Sequence, residues 1–371
     1  MQNQEIDVVS EFQYNSMNED YNMDYRNWRQ NTLSPYAYRY VGNPRERMFV
    51  EGRGETQLTP IAAERDVLTR VSNVIGLSLL VYLACELLGG MLLIVIMQAF
   101  GVDIHMDFLL LGMKGSQWSV MLTRAVVSIM KFGSAYLLMQ RKFNLPHMIR
   151  IPMHNSGGPE LLLTVGLAMG AACAYCLIDS ATGGGRMLGD KIFDYKDTAA
   201  VVAYALFDVT VISIMSEGLL RGLMLPILRQ FGDRFAVLMI AAIAFLMPNT
   251  LSERVGEFCV GLGAGYLLLK GGSFIKCVFL RMIYTAICYS RLILIYGEGA
   301  MISFWKFMLI LLLTALVGVG SYLLLRLGPF GISNRFSYLP SKMKIMAFAE
   351  TVLMLPWICI SILVMLVQMF Y

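Results

Sequence analysis

Charge is what this sequence has least of. Only 15% of its residues are Asp, Glu, Lys or Arg, while 57% are apolar. Soluble domains carry about 25% charged residues, so a water-exposed surface over most of the chain is excluded. The charge present is also unevenly placed. Residues 1–70 hold 11 acidic and 8 basic side chains, so the rest of a chain of net charge +4 carries +7. No patch is basic enough to suggest nucleic acid as a partner.

Histidine is scarcer still. His105, His147 and His154 are the three present, and all fall in predicted loops. A histidine-built metal site or a zincin-like helix is therefore not expected, and no cofactor is implied. The seven cysteines lie nearly all inside apolar runs. Cys173-x-x-Cys176 has redox or metal spacing but sits within the run Leu161–Ile178 with no second such pair. It reads as two small apolar residues. Gly183, Gly184 and Gly185 are not followed by the Gly-Lys-Ser/Thr of a phosphate loop. Residues 1–65 lack both apolar periodicity and a signal-peptide core. A cytoplasmic tail, disordered or loosely helical, is expected over about residues 1–68, and its Trp28, Tyr36, Tyr38 and Tyr40 could dock on a partner.

What the sequence has in quantity is long apolar runs. Spans are expected at about Ser72–Phe100, Gln117–Gln140, Glu160–Asp179, Ala199–Leu228, Phe235–Thr250, Val255–Leu269, Cys277–Tyr296, Ser303–Leu325 and Ile345–Tyr371. The fifth and sixth are short, roughly 22–24 Å by helical rise against a ~30 Å hydrocarbon core, and suit helices enclosed by others. The expected fold is all-α, a polytopic membrane bundle of about eight or nine transmembrane helices over residues 69–371, with the lipid bilayer as its surroundings. With the N-terminus inside, roughly 14 Lys/Arg near span ends fall on the cytoplasmic side and roughly 6 opposite. That predicts a plasma-membrane protein with N-in orientation and, for nine spans, the C-terminus outside.

The few charges inside the spans are the informative ones, because each costs roughly 2.5–3.5 kcal/mol even on the lenient insertion scale. Glu86 in the first span can partner Arg124 or Lys131 of the second, which lie seven apart on one face. Either a structural interhelical bridge or a transport role would account for them. In the fourth span, Glu217 and Arg221 are four apart and can pair on one helical face, as a site or as a self-satisfied ion pair.

Ser216-Glu217-x-x-x-Arg221-Gly222, followed by Leu223-Met224-Leu225-Pro226, resembles the EExxxRG signature of the CPBP family, the CAAX proteases and bacteriocin-processing proteins. Phe245-Leu246-Met247-Pro248-Asn249 stands where that family has FxxxH. Gly261-x-Gly263-x-Gly265-Tyr266-Leu267-Leu268-Leu269-Lys270, completed by Gly272-Ser273, is similar to its GxxxGYLxxRTGS stretch. Arg281-Met282-Ile283-Tyr284-Thr285 stands where it has HxxxN. The likeness covers about residues 205–290, within a CPBP-like core of about 160–300. It implies a metal-independent glutamate-dependent intramembrane endopeptidase fold.

The resemblance also implies which groups the chemistry would need, and here they are replaced. The water-activating Glu and His positions hold Ser216 and Asn249, and the oxyanion-stabilising His and Asn positions hold Arg281 and Thr285. Neither a serine of ordinary pKa nor an amide is a usable base at pH 7. Arg281 could still donate to an oxyanion, but nothing generates the nucleophile. Ser216 as nucleophile would need a Lys or His base, and no histidine lies in a span. The expectation is a catalytically degenerate member that binds a membrane-embedded peptide or protein partner. A role in bacteriocin immunity or regulation is what the resemblance implies. The rival is an active endopeptidase in which Glu217, Asp208 or Glu257 serves as a relocated base; a small-molecule transporter is a third. Arg281 cannot shed its charge and needs a carboxylate, with Glu257 favoured over Glu217.

Overall fold

A computed structural model describes residues 60–107, 112–154, 168–174, 198–247, 251–296, 300–327 and 339–370, with residue 166 and short pieces between residues 24 and 56. Most of the expected third span, the Gly183–Gly185 loop and Asn249 lie outside the described residues.

The described chain is mainly helical. Helix α1 (Pro60–Ala84) runs through a π-helical turn (Cys85–Gly89) into α2 (Gly90–Ala99). It starts about three turns before the expected first span. Residues 60–71 are helical without being apolar, and Glu64 is buried there, accepting from the Leu339 amide at 3.2 Å. Helix α3 (Gln117–Phe143) opens on Ser116, whose hydroxyl accepts from the Ser119 amide, and closes on Asn144 in the left-handed conformation. The short α4 (His147–Arg150) follows.

The motif lies on a second long helical run, made of α5 (Thr198–Phe207), a π-turn (Asp208–Ile212), α6 (Ser213–Glu217), a π-turn (Gly218–Met224) and α7 (Leu225–Arg229). Then come α8 (Asp233–Leu246), α9 (Leu251–Gly271), α10 (Phe274–Tyr296) and α11 (Ala300–Leu327). Helix α9 is longer than the expected sixth span because it begins four residues earlier, at Leu251, and takes in Arg254. Arg254 is fully buried, so its charge is held inside the bundle rather than at a solvated helix end.

Among the described residues three stretches are long and apolar enough to cross a membrane: Glu64–Ala99, Gln117–Phe143 and Ala199–Arg229. A fourth counts if Ser341–Ala349 and Met354–Val367, bent by 82°, form one span. The expected continuous ninth span is thus broken, into α12 (Ser341–Ala349) and α13 (Met354–Phe370). Pro356 explains the place. In an unbroken helix its ring would meet the carbonyl four residues back, whereas it fits the first turn of a new helix. Helix α1 passes so near this break that a Cβ on Gly76 would lie 2.6 Å from the Leu353 carbonyl carbon.

The fold is not purely helical. The expected loop carrying Asp103 and Asp107 includes an antiparallel hairpin, β4 (Ile104–Asp107) with β5 (Gly112–Gly115). Ile104 explains it, being buried in a small cluster with Ile94 and Val120. In the tail, β1 (Arg39–Tyr40), β2 (Met48–Phe49) and β3 (Glu55–Thr56) pair in that order. The outward faces of α2 and α3 expose Leu92, Val95, Leu122 and Leu137. Such an apolar surface matches lipid rather than water.

Candidate functional site

Two helices carry most of the polar groups, and a change of helical pitch sets their register. On α10, Arg281, Thr285 and Tyr289 recur every fourth residue and so share one face. On the motif helix the matching residues are Asp208, Ser213, Glu217 and Arg221, with a first step of five. The π-turn at Asp208–Ile212 supplies the extra residue. It shows directly in the Ser213 hydroxyl, which donates to the Asp208 carbonyl five residues back at 3.3 Å.

The two faces meet in antiparallel order. Tyr289 Oη donates to Asp208 Oδ2 at 2.8 Å. Ser213 and Thr285 hydroxyls lie 3.5 Å apart. Further along, Glu217 lies within electrostatic reach of Arg281. Arg281 itself is ion-paired to Glu257 of α9, the carboxylate favoured from the sequence. The Glu217–Arg221 pair forms within the motif helix at 2.9 Å, with both side chains fully buried. Arg221 reaches onward to donate to the Gly261 carbonyl at 3.0 Å. Arg221 lies within the second π-turn of the motif helix.

Glu217, Arg221, Glu257, Arg281, Asp208 and Thr285 converge on the contact of the motif helix with α9 and α10. Ser216 is buried and donates to the Ser213 carbonyl at 3.1 Å, within its own helix. Asn249 lies outside the described residues. Ser213 and Tyr289 were missed from the sequence. Tyr289 was legible as the next residue on the Arg281–Thr285 face, but Ser213 was not, because a regular helix would align Asp208 with residue 212.

Chemically the cluster is a set of matched charges. Two arginines face two fully buried or nearly buried glutamates, and the third carboxylate, Asp208, is bonded by a phenol. Two of its atoms are left without a hydrogen-bond partner among the described residues, Glu217 Oε2 and Arg221 Nε. No cluster of three or more potential metal ligands occurs among the described residues. Such charges are held in a low-dielectric interior only because each is paired.

A second polar centre lies on other helices. Lys131 of α3 bonds Glu86, in the first π-turn, at 2.9 Å, and its ammonium sits 5.0 Å from the centre of the Tyr82 ring. Of the two expected partners for Glu86, Lys131 is therefore the one used. Among the described residues, each of the three π-turns thus carries a charged residue of these networks: Glu86, Asp208 and Arg221. Compared with known protein families, with curated proteins and with solved structures, the chain matches none.

Proposed function

We propose that this chain is a multi-pass plasma-membrane protein of CPBP type, with eight or nine spans and its N-terminus on the cytoplasmic side. On this reading it is a pseudoprotease that binds a membrane-embedded peptide or protein partner without cutting it. The motif order along residues 205–290 supports the family assignment, and a bacteriocin-immunity or regulatory role follows from that resemblance.

The observation that carries the loss of activity is the occupation of the carboxylates. Glu257 is committed to Arg281, Glu217 to Arg221, and Asp208 to Tyr289. A general base must reach a water and accept its proton; a buried carboxylate locked to a guanidinium does neither. The rival reading, a working endopeptidase with a relocated base, has one observation in its favour: the unpartnered Glu217 Oε2. That oxygen is buried and would meet water only if the bundle opened.

Purified protein incubated with CAAX-type and transmembrane peptides separates the two readings. The pseudoprotease reading requires retention of a photo-crosslinkable membrane peptide with no cleavage above background. Cleavage that disappears with Glu217→Gln would establish the endopeptidase instead.

A further inference from the structure

The polar tail ahead of Pro60 makes specific contacts with one end of the bundle. Tyr25 is completely buried, and its hydroxyl donates to the Pro226 carbonyl at 2.8 Å. The Arg229 guanidinium lies over its ring, 4.7 Å from the centre. Both partners belong to α7, the last segment of the motif helix. Trp28 packs beside Tyr25, with ring centres 5.5 Å apart. Further on, Tyr36 meets Phe143 edge to face at 5.2 Å, and its carbonyl accepts from Gln230 Nε2 at 2.7 Å. These contacts reach the ends of α3 and α7 and the turn after α7.

The tail also holds a strap. Residues 149–154 cross the same end of the bundle. On the inner side the strap bonds the α9–α10 turn: the His154 amide donates to Gly272 at 3.0 Å, and the Phe274 amide to Pro152 at 2.9 Å. The Arg150 carbonyl lies so close to Gly222 that a Cβ there would sit 3.3 Å from it. On the outer side Ile149 forms one apolar cluster with Tyr25 and Trp28, and His154 Nε2 lies 3.3 Å from Asp24 Oδ2. The strap is thus gripped between the tail and the ends of three helices that carry Arg221, Glu257 and Arg281.

We propose that the tail around Tyr25 is an intramolecular clamp: when docked it presses the strap onto the motif helix and the α9–α10 turn and closes that end of the bundle over the charged cluster. The clamp does not depend on the pseudoprotease reading. It needs only the contacts above, and a burial-driven aromatic anchor of this kind is released by removing the ring.

Cys277 reports the state of the clamp. It is fully buried one turn into α10, donating to the Ala264 and Ser273 carbonyls at 3.3 and 3.4 Å. The full-length protein in lipid nanodiscs is treated with a maleimide, and modification is mapped by peptide mass spectrometry, alongside limited trypsin digestion at Arg26 and Arg29. In the wild type Cys277 resists modification and the two arginines resist cleavage. Tyr25→Ala makes both sites react at least about tenfold faster, and Tyr25→Phe, which keeps the ring, changes them far less. A wild-type tail cleaved as fast as a free peptide overturns the clamp. So does a Tyr25→Ala protein whose Cys277 rate is unchanged, or one in which every buried cysteine reacts together, since that is loss of the fold rather than local opening.

Discussion

Arg281 of α10 and Glu257 of α9 form an ion pair in the interior of the helical bundle, with Glu217 and Arg221 of the motif helix alongside. A guanidinium in a low-dielectric site keeps its charge at any accessible pH. The pair is therefore a requirement of folding once arginine stands there, and the carboxylate that answers it is unavailable for other chemistry.

Removing one member strands the other. Glu257→Leu and Arg281→Met should each destabilise the protein by about 3–5 kcal/mol, the cost of an unpaired buried charge. The double variant should be much less destabilised than the sum, since an apolar replacement of a whole buried pair is often nearly neutral. Unfolding in mixed micelles followed by circular dichroism gives all four values. Additive effects would show that the two side chains do not act as a pair.

The second centre makes a directional prediction. Lys131→Met leaves Glu86 without its 2.9 Å partner and should cost about 3–5 kcal/mol. Arg124→Met, about two turns away on the same face of that helix, leaves that pair intact and should cost less than half as much. Equal losses in the same unfolding assay would mean that both cations serve Glu86.

Gly76 and Gly318 test packing against backbone. A Cβ at Gly76 would meet the Leu353 and Met354 backbone at 2.6 Å, and neither atom can rotate aside. Gly76→Ala should therefore cost about 1–3 kcal/mol, the range for overpacking. Around Gly318 no atom lies within 4 Å of a Cβ. Gly318→Ala should be neutral or stabilising by up to about 1 kcal/mol, from helix propensity alone. Thermal midpoints that shift together would contradict the close approach of α1 to the break before Met354.

Local features were legible in the sequence for a physical reason. Backbone polar groups in a bilayer are satisfied only within helices or closed barrels, and apolar runs of about 20 residues fit helices, so the sequence determined these. It also determined the Glu217–Arg221 pair, since residues four apart meet in any α-helix or single π-turn of this kind. It narrowed the answer to Arg281 to a few carboxylates. Tertiary structure decided what spacing cannot carry. The π-turn at Asp208–Ile212 shifts the register by one residue, so Ser213 faces Thr285, and no composition signal marks it. Glu86 chose Lys131 over Arg124 because the ammonium also gains the Tyr82 ring, a contact between different helices. The break before Met354 and the burial of Tyr25 against Pro226 and Arg229 depend on surfaces assembled from segments far apart in the chain, and such surfaces exist only after the helices have packed.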